Sequence, residues 1–500
     1  MGKRFSILLL IAGITIRVVF KRRVVGVSLA WLMIIYIIPV GGIIAYLLFG
    51  ELNLGKKRAK RALDMFSPYA DWFQRLNDCP EHQPQLMSQY ARPICDLCEN
   101  RLGIPSLVGN SLSLQDSPQT ILRSIIEDIQ QAQLSIHLEF YIWHPGGLAD
   151  EVGVALIDAA KRGVRIKLLL DSAGSMRFFR SHWPRLMRHA GIEVTEALAV
   201  TPFRMFLRRL DLRQHRKIVV IDNEIAYTGS MNLVDPKFFK TDAGVGEWVD
   251  VMVRLTGPTV TVLNSIQAWD WEVETGTRDL PPLPSCNIKQ PNDHSDTVQV
   301  IPSGPGMPDE IIHQVLLLSI YQAQESVVIT TPYFVPSENL LHALRGAALR
   351  GIDVSLIIPD KNDSTMVEWA SRSFFAELLS AGVKIYRFHG GLLHTKSVVI
   401  DDNHCLIGTV NLDMRSLWLN FEVTLAVDSA EFTQQLSWLQ QEYIKDSTLV
   451  DWREWEKRSV QHKLAEQFFY MFSHCFKLCR TKNPSQVITC TGIFNLTNSL

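Results

Sequence analysis

The sequence predicts an α/β protein of two tandem α/β/α halves related by pseudo-two-fold symmetry, preceded by an N-terminal transmembrane helical hairpin. Three observations carry that prediction: an uncharged run of 26 residues from Val24 to Phe49, an order of segments that recurs about 190 residues later, and a short polar motif at equal depth in each copy. At 500 residues the chain exceeds one ordinary domain. With 47% hydrophobic and 20% charged residues it has apolar material for more than one core. Its formal net charge of -1 hides a markedly basic first 65 residues, so the placement of charge says more than its sum.

The uncharged run is long enough to span a bilayer with some tilt, even with Pro39 inside it. Before it, Ser6 to Phe20 is apolar but only 15 residues long and contains Arg17. That arginine, with Lys21, Arg22 and Arg23, can snorkel toward headgroups. A cleaved signal peptide fails as an explanation, because no small-residue cleavage site precedes the basic cluster. Lys3, Arg4, Lys56, Lys57, Arg58, Lys60 and Arg61 flank the two runs, seven positive charges against three in the connection. The positive-inside rule then places both ends, and all that follows, in the cytoplasm.

Residues 1–54 are read as the hairpin, 55–105 as a basic linker, 106–280 as the first half, 281–298 as a Pro-rich and polar linker, 299–450 as the second half, and 451–500 as a C-terminal helix and tail. The halves repeat in detail. Gln131 to Ser135 leading into Tyr141 resembles Gln322 to Ser326 leading into Tyr333. Ala159 to Gly163 with its run to Asp171 matches Ala347 to Gly351 with its run to Asp360, and Ala190-Gly-Ile192 matches Ala381-Gly-Val383. Each copy reads as helix, apolar strand, helix ending at Gly, apolar strand, helix, strand. Strands as apolar as Lys167 to Leu170 and Val354 to Ile358 are expected where helices cover both faces of a largely parallel sheet.

The motif is His215-Arg-Lys217-x4-Asp222, followed by Gly229-Ser230-Met-Asn232; its copy is His394-Thr-Lys396-x4-Asp401, followed by Gly408-Thr409-Val-Asn411. From histidine to asparagine is 17 residues in both. One such motif is a weak signal; two at identical spacing inside a repeat are not. A buried core histidine, ordinarily the better account, would have to explain the coincidence twice. In a strand, His215 and Lys217 project to one face. An imidazole and an ammonium aimed at one point suit attack on a phosphate. Asp222 and Asp401 belong to the catalytic motif but have opposite parity and open the turns Asp222-Asn-Glu224 and Asp401-Asp-Asn403. A turn is reason enough for an Asp, so an orienting role fits better than direct chemistry. No metal or other cofactor is expected: Lys217 and Lys396 repel a cation, and Cys95 and Cys98 form a lone C-x2-C among eight cysteines.

With Leu212-Arg-Gln-His-Arg-Lys217, Tyr227-Thr-Gly-Ser-Met-Asn232, Thr331-Pro-Tyr-Phe-Val-Pro336 and Gly408 to Ser416 in view, the chain resembles the phospholipase D superfamily, and within it the bacterial cardiolipin synthases. The likeness runs from the hairpin to about residue 473. It implies that one histidine attacks the phosphorus of a phosphatidylglycerol and that the other protonates the departing glycerol. A covalent phosphohistidine results. A second phosphatidylglycerol then takes the phosphatidyl group, giving cardiolipin in a bacterial inner membrane, with two lipids and the bilayer as partners and no nucleic acid. Lys217, Lys396, Asn232 and Asn411, with Ser230 and Thr409 of the same turns, are expected to hold phosphate oxygens. Family members also place an acid behind each histidine ring. Glu422, 28 residues after His394, fits that role in the second half; Asp250, 35 residues after His215, matches it in the first, with Glu247 a nearby competitor. Symmetry leaves open which histidine attacks.

Only the first half carries an insert before its histidine. Phe203, Phe206, Leu207 and Leu210 fall on one helical face, with Arg204, Arg208 and Arg209 off it, a pattern for a basic amphipathic helix at an anionic membrane surface or one packed on the core. Two rival functions remain. A hydrolase or nuclease would use the same motifs with water as acceptor, but a nuclease needs a basic groove with stacking aromatics. A membrane-tethered binding protein without activity would be expected to have lost at least one motif.

Overall fold

The computed structural model describes residues 2–20, 25–50, 56–83, 87–199, 212–284, 296–308 and 310–477. The basic amphipathic insert, in 200–211, and the tail beyond 477 lie outside the described residues.

The first half contributes β1 (Leu107–Gln115), β2 (Ser135–Phe140), β3 (Arg165–Asp171), β4 (Glu193–Ala197), β5 (Ile218–Ile221), β6 (Ile225–Gly229) and β7 (Met252–Thr256). The second contributes β8 (Asp296–Ser303), β9 (Ser326–Thr330), β10 (Asp353–Pro359), β11 (Lys384–Phe388), β12 (Ser397–Ile400), β13 (His404–Gly408), β14 (Glu422–Asp428) and a short β15 (Ser447–Leu449). All lie in one 15-stranded sheet, ordered β15-β11-β10-β9-β12-β13-β14-β8-β1-β7-β6-β5-β2-β3-β4. Read outward from the antiparallel joint between β1 and β8, the two halves run through their strands in the same order. The repeat is therefore one topology used twice.

The sheet is mixed rather than largely parallel. Only β2-β3-β4 and β9-β10-β11 are parallel, each joined by helical crossovers. The strands that follow the motif histidines are tied to their neighbours by three-residue turns, which force antiparallel pairing. Asp222 and Asn223 sit at φ 53° and 56°, and Asp401 and Asp402 at 50° and 51°. These are mirror-image turns whose twist suits a hairpin, and Asp and Asn are the side chains that tolerate that region best.

Residues 55–105 are not a linker. Helix Lys56–Asn77 packs against helix Thr259–Thr275 through Met65 and Tyr69, and Trp72 and Leu76 enter a core shared with strands of both halves. The Trp72 indole N–H donates to the carbonyl of Pro281 (2.9 Å). Two of the positive residues in the topology count are committed here. Arg61 donates to the carbonyls of Val273 (2.9 Å) and Thr275 (3.1 Å), capping that helix, and Arg58 pairs with Glu274 (2.9 Å).

At the N-terminus, α1 (Gly2–Phe20) folds against α2 (Val25–Ile37) and α3 (Pro39–Ala45), with Val18, Trp31, Ile35 and Tyr46 buried among them. The uncharged run is not one helix: it breaks at Ile38, because Pro39 has no N–H to donate and its ring crowds the preceding turn. No helix among the described residues is long and apolar enough to cross a membrane.

Candidate active site

Each histidine is presented by a segment that crosses to the other half. The His215 backbone N–H donates to the Phe421 carbonyl (2.9 Å), and the Phe421 N–H donates to Arg213 (3.0 Å). In the mirrored position, Leu392 and Leu393 pair in parallel with Trp248 and Val249, and the His394 N–H donates to Val249 (2.8 Å). This register decides which acid stands behind which ring. His215 Nδ1 lies 2.8 Å from Glu422 Oε2, and His394 Nδ1 lies 2.6 Å from Asp250 Oδ1. Glu422 and Asp250 thus serve the histidine of the opposite half, which corrects the within-half assignment. Glu247, the competitor for Asp250, contributes its backbone carbonyl to Leu392 (2.9 Å).

A carboxylate only accepts, so each Nδ1 carries the proton and each Nε2 is left for chemistry. Burial pushes both imidazoles down to about 4, with neighbouring lysines adding to it and the paired acids opposing. Burial alone would raise the Glu422 and Asp250 carboxyls; the paired imidazole, the nearby lysine and a hydroxyl outweigh it and hold both below the usual range. Those hydroxyls are Thr409, donating to Glu422 (2.6 Å), and Ser230, donating to Asp250 (2.6 Å). Expected as phosphate ligands, Ser230 and Thr409 are instead turned away and spent on the acids. Asn420 adds a third donor to Glu422 (3.1 Å).

Lys217 and Lys396 are buried beside the rings, each donating to the carbonyl of its own motif histidine, in the case of Lys217 at 2.7 Å. Burial lowers Lys217 to about 8 and Lys396 to about 7, the latter helped by its twin. Asn232 and Asn411 line the same cleft, Asn232 fixed by the Ile142 N–H (3.1 Å). Asp222 and Asp401 do not reach it. The Asp222 carboxylate accepts from the N–H groups of Gln133, Leu134 and Ser135 (2.7, 2.7 and 2.8 Å). Asp401 does the same for Gln324, Glu325 and Ser326 (2.9, 2.8 and 2.7 Å). Their place in the catalytic set is corrected: they splice the turn after the motif to the strand beside it.

The cleft holds about 470 Å³ and opens onto both histidines. Its walls include residues the motif does not announce. Tyr141 packs on His215 (ring centroids 5.0 Å) and Trp248 on His394 (4.4 Å). Tyr141 and Tyr333 do stand in the repeated segments of the sequence; Trp248 and Asn420 have no such signal. Beneath His215 lies an ionic cluster with no counterpart behind His394 among the described residues. Arg216 pairs with Asp270 and donates through Nε to the Glu422 carbonyl (3.0 Å). Behind His394 the matching Thr395 reaches the Tyr443 hydroxyl (3.2 Å) and donates to the Val249 carbonyl (3.4 Å).

Two acid-backed imidazoles facing one cleft, each with a buried lysine beside it, define a double-histidine phosphodiester-transfer site, and the chain belongs to the cardiolipin synthase family of phospholipase D-like proteins. The family model described as cardiolipin synthase, PLD-like domain, matches residues 125–245 and 316–442, and one described as phospholipase D-nuclease N-terminal matches 9–51. The chain is 56% identical over 470 residues to cardiolipin synthase A of Yersinia pseudotuberculosis serotype O:1b (strain IP 31758), covering 94% of this chain and 97% of the relative. The same figures hold for cardiolipin synthase A of Yersinia pestis. The fold is shared with phosphatidylserine synthase of Haemophilus influenzae Rd KW20, at a TM-score of 0.55 and 15% identity over 73% of this chain and 94% of that one.

Proposed function

We propose that this site makes cardiolipin from two molecules of phosphatidylglycerol. The Nε2 of one histidine attacks the phosphorus of the first lipid, the P–O bond to its glycerol breaks, and the other histidine gives that oxygen a proton. The rings are neutral when the cleft is empty; an entering phosphodiester anion favours the protonated form of one of them, which supplies the acid. Lys217, Lys396, Asn232 and Asn411 hold the phosphoryl oxygens as charge develops. A hydroxyl of the second lipid then displaces the histidine, its proton passing back to the ring that first acted as acid. The observation that carries the reading is the pair of crossed histidine–acid contacts facing one cleft, which splits attack and proton transfer between two rings.

We further propose that the apolar N-terminal segment anchors the protein in a bacterial cytoplasmic membrane with the sheet on the cytoplasmic side, in line with its basic flanks and with a lipid substrate. The test of activity is direct. Purified protein is supplied with phosphatidylglycerol in mixed micelles, beside His215→Ala and His394→Ala, and products are identified by mass spectrometry. Cardiolipin and glycerol from the wild type alone support the proposal. Phosphatidic acid as the main product makes the protein a hydrolase, and full activity in either variant removes the shared site.

A further inference from the structure

Phosphatidylglycerol is built almost wholly of hydrogen-bond acceptors. Its phosphodiester is an anion and its acyl esters are carbonyls, so only the hydroxyls of the glycerol headgroup can donate. In the transfer the terminal hydroxyl attacks, and the one on the middle carbon is the donor left over. The departing glycerol carries a hydroxyl on the same carbon. A site that tells this alcohol from others therefore needs an acceptor in the cleft, and a lysine ammonium cannot be one.

The second half supplies two amides with an oxygen to offer. Asn411 and Asn420 line the cleft and are buried, at 3% and 6% exposed. Which way each amide points is settled by its neighbours. The Glu422 carboxylate only accepts, so the atom of Asn420 that faces it is Nδ2 (3.1 Å). Ser416 gives its hydroxyl proton to Asp413 (3.3 Å), which leaves its oxygen to accept from Asn411 Nδ2 (3.2 Å) and, more loosely, from Asn420 Nδ2 (3.5 Å). Both amides thus spend their nitrogens on this network. Neither oxygen receives a hydrogen bond from the described residues. A buried acceptor in that condition costs free energy until a donor arrives.

The first half is built otherwise. The Asn232 oxygen accepts from the Ile142 N–H (3.1 Å), so the amide that matches Asn411 has its oxygen engaged. Two residues before each acid, Asn420 stands opposite Trp248. That indole packs on His394 (4.4 Å between centroids) and under the Lys240 ammonium (5.2 Å). The pseudo-symmetric site therefore has an amide beside the acid that holds His215 and an indole beside His394.

We propose that Asn420 is a specificity residue of the transfer, its amide oxygen taking a hydrogen bond from the middle-carbon hydroxyl of the glycerol headgroup. This rests on the transferase reading above and names the part of the substrate that sets it apart from other phospholipids. One end of the amide orients the acid behind His215, and the other reads the alcohol.

The test sets two alcohols against each other on one intermediate. Phosphatidylglycerol micelles and the whole chain are incubated with equal amounts of deuterated glycerol and 1,3-propanediol, which lacks only the middle hydroxyl. In capture the alcohol oxygen bonds to phosphorus, the P–N bond to histidine breaks, and the hydroxyl proton goes to the other imidazole. Mass spectrometry separates labelled phosphatidylglycerol from phosphatidylpropanediol. The wild type should favour glycerol at least about tenfold, and Asn420→Ala should lower that ratio at least about fivefold. Asn420→Ser, which can still donate to Glu422 but holds its oxygen further back, should recover part of the total activity without the preference. Equal capture of both alcohols by the wild type overturns the proposal, whatever the variants do. So does an unchanged ratio in variants whose total activity has fallen, since Asn420 would then serve Glu422 alone. A wild type that captures the alcohols but makes no cardiolipin from phosphatidylglycerol by itself instead sinks the transferase reading, a distinct result.

Discussion

His215 is held by Glu422, 2.8 Å from its Nδ1 and 207 residues further along the chain, in the other half of the molecule. The mirrored contact joins His394 to Asp250. Because each acid fixes the tautomer of a ring it does not share a half with, Glu422→Gln and Asp250→Asn should each lower kcat by at least about 100-fold while KM stays within about threefold. Steady-state kinetics on micellar phosphatidylglycerol read this; a rise in KM alone would mean that these carboxylates bind substrate.

Thr409→Val and Ser230→Ala separate orientation from phosphate binding. Each removes one hydrogen bond to a buried carboxylate, a loss of roughly 10- to 100-fold if it acts wholly through the histidine. The decrease should appear in kcat. If the hydroxyls touched the lipid phosphate, KM would carry the change.

Asp401→Ala should act on stability, not chemistry. It frees three backbone N–H groups now bonded to one carboxylate, at a cost of about 2–4 kcal/mol. Thermal unfolding should drop in temperature, and kcat per folded molecule should stay within about threefold. A collapse of kcat in well-folded protein would restore Asp401 to the catalytic set.

The Arg216–Asp270 pair lies wholly inside the fold beneath His215. Removing Asp270 alone strands a buried guanidinium and should cost about 3–5 kcal/mol. Arg216→Met with Asp270→Leu should be less damaging than Asp270→Ala, because no unpaired charge remains. Chemical denaturation of the wild type and the two variants decides it, and a double variant no more stable than Asp270→Ala would overturn the expectation.

Lys396 and Lys217, lowered by burial to about 7 and about 8, bind phosphate only while protonated. Raising the pH through that range removes the charge, so kcat/KM should decline on the alkaline side between about pH 7 and pH 9. The histidines, lowered to about 4, are neutral in the empty cleft throughout this window, so the proton that one of them must take up to act as acid adds to the decline. A profile flat to pH 9 would show that the lysines stay charged.

The sequence discloses what is local or repeated. The two motifs, the shared face of His215 and Lys217, the turn position of Asp222 and Asp401, and the duplicated order of elements are all short-range patterns. The acids were visible too, but not their partners, since nothing near Glu422 in the chain says that its strand begins beside Gln214 rather than Leu393. That depends on pairing across the joint, a property of the whole sheet. The same blindness explains Ser230 and Thr409, whose spacing is that of ligands but whose hydroxyls turn to an acid at the start of the neighbouring strand. Apolar runs overstated how much of the sheet is parallel, because burial on both faces looks alike in either direction. Trp72 and Leu76 sat in a basic stretch whose charges masked a core-facing stripe.

The antiparallel seam between Leu107–Gln115 and Asp296–Ser303 has a further consequence. With each acid on loan to the opposite half, a chain carrying a single motif would own a histidine whose tautomer nothing fixes. It would complete a site only by joining a second copy edge to edge in the same crossed manner. In the present chain that partnership is covalent, so the two halves are free to diverge around a centre that neither possesses alone.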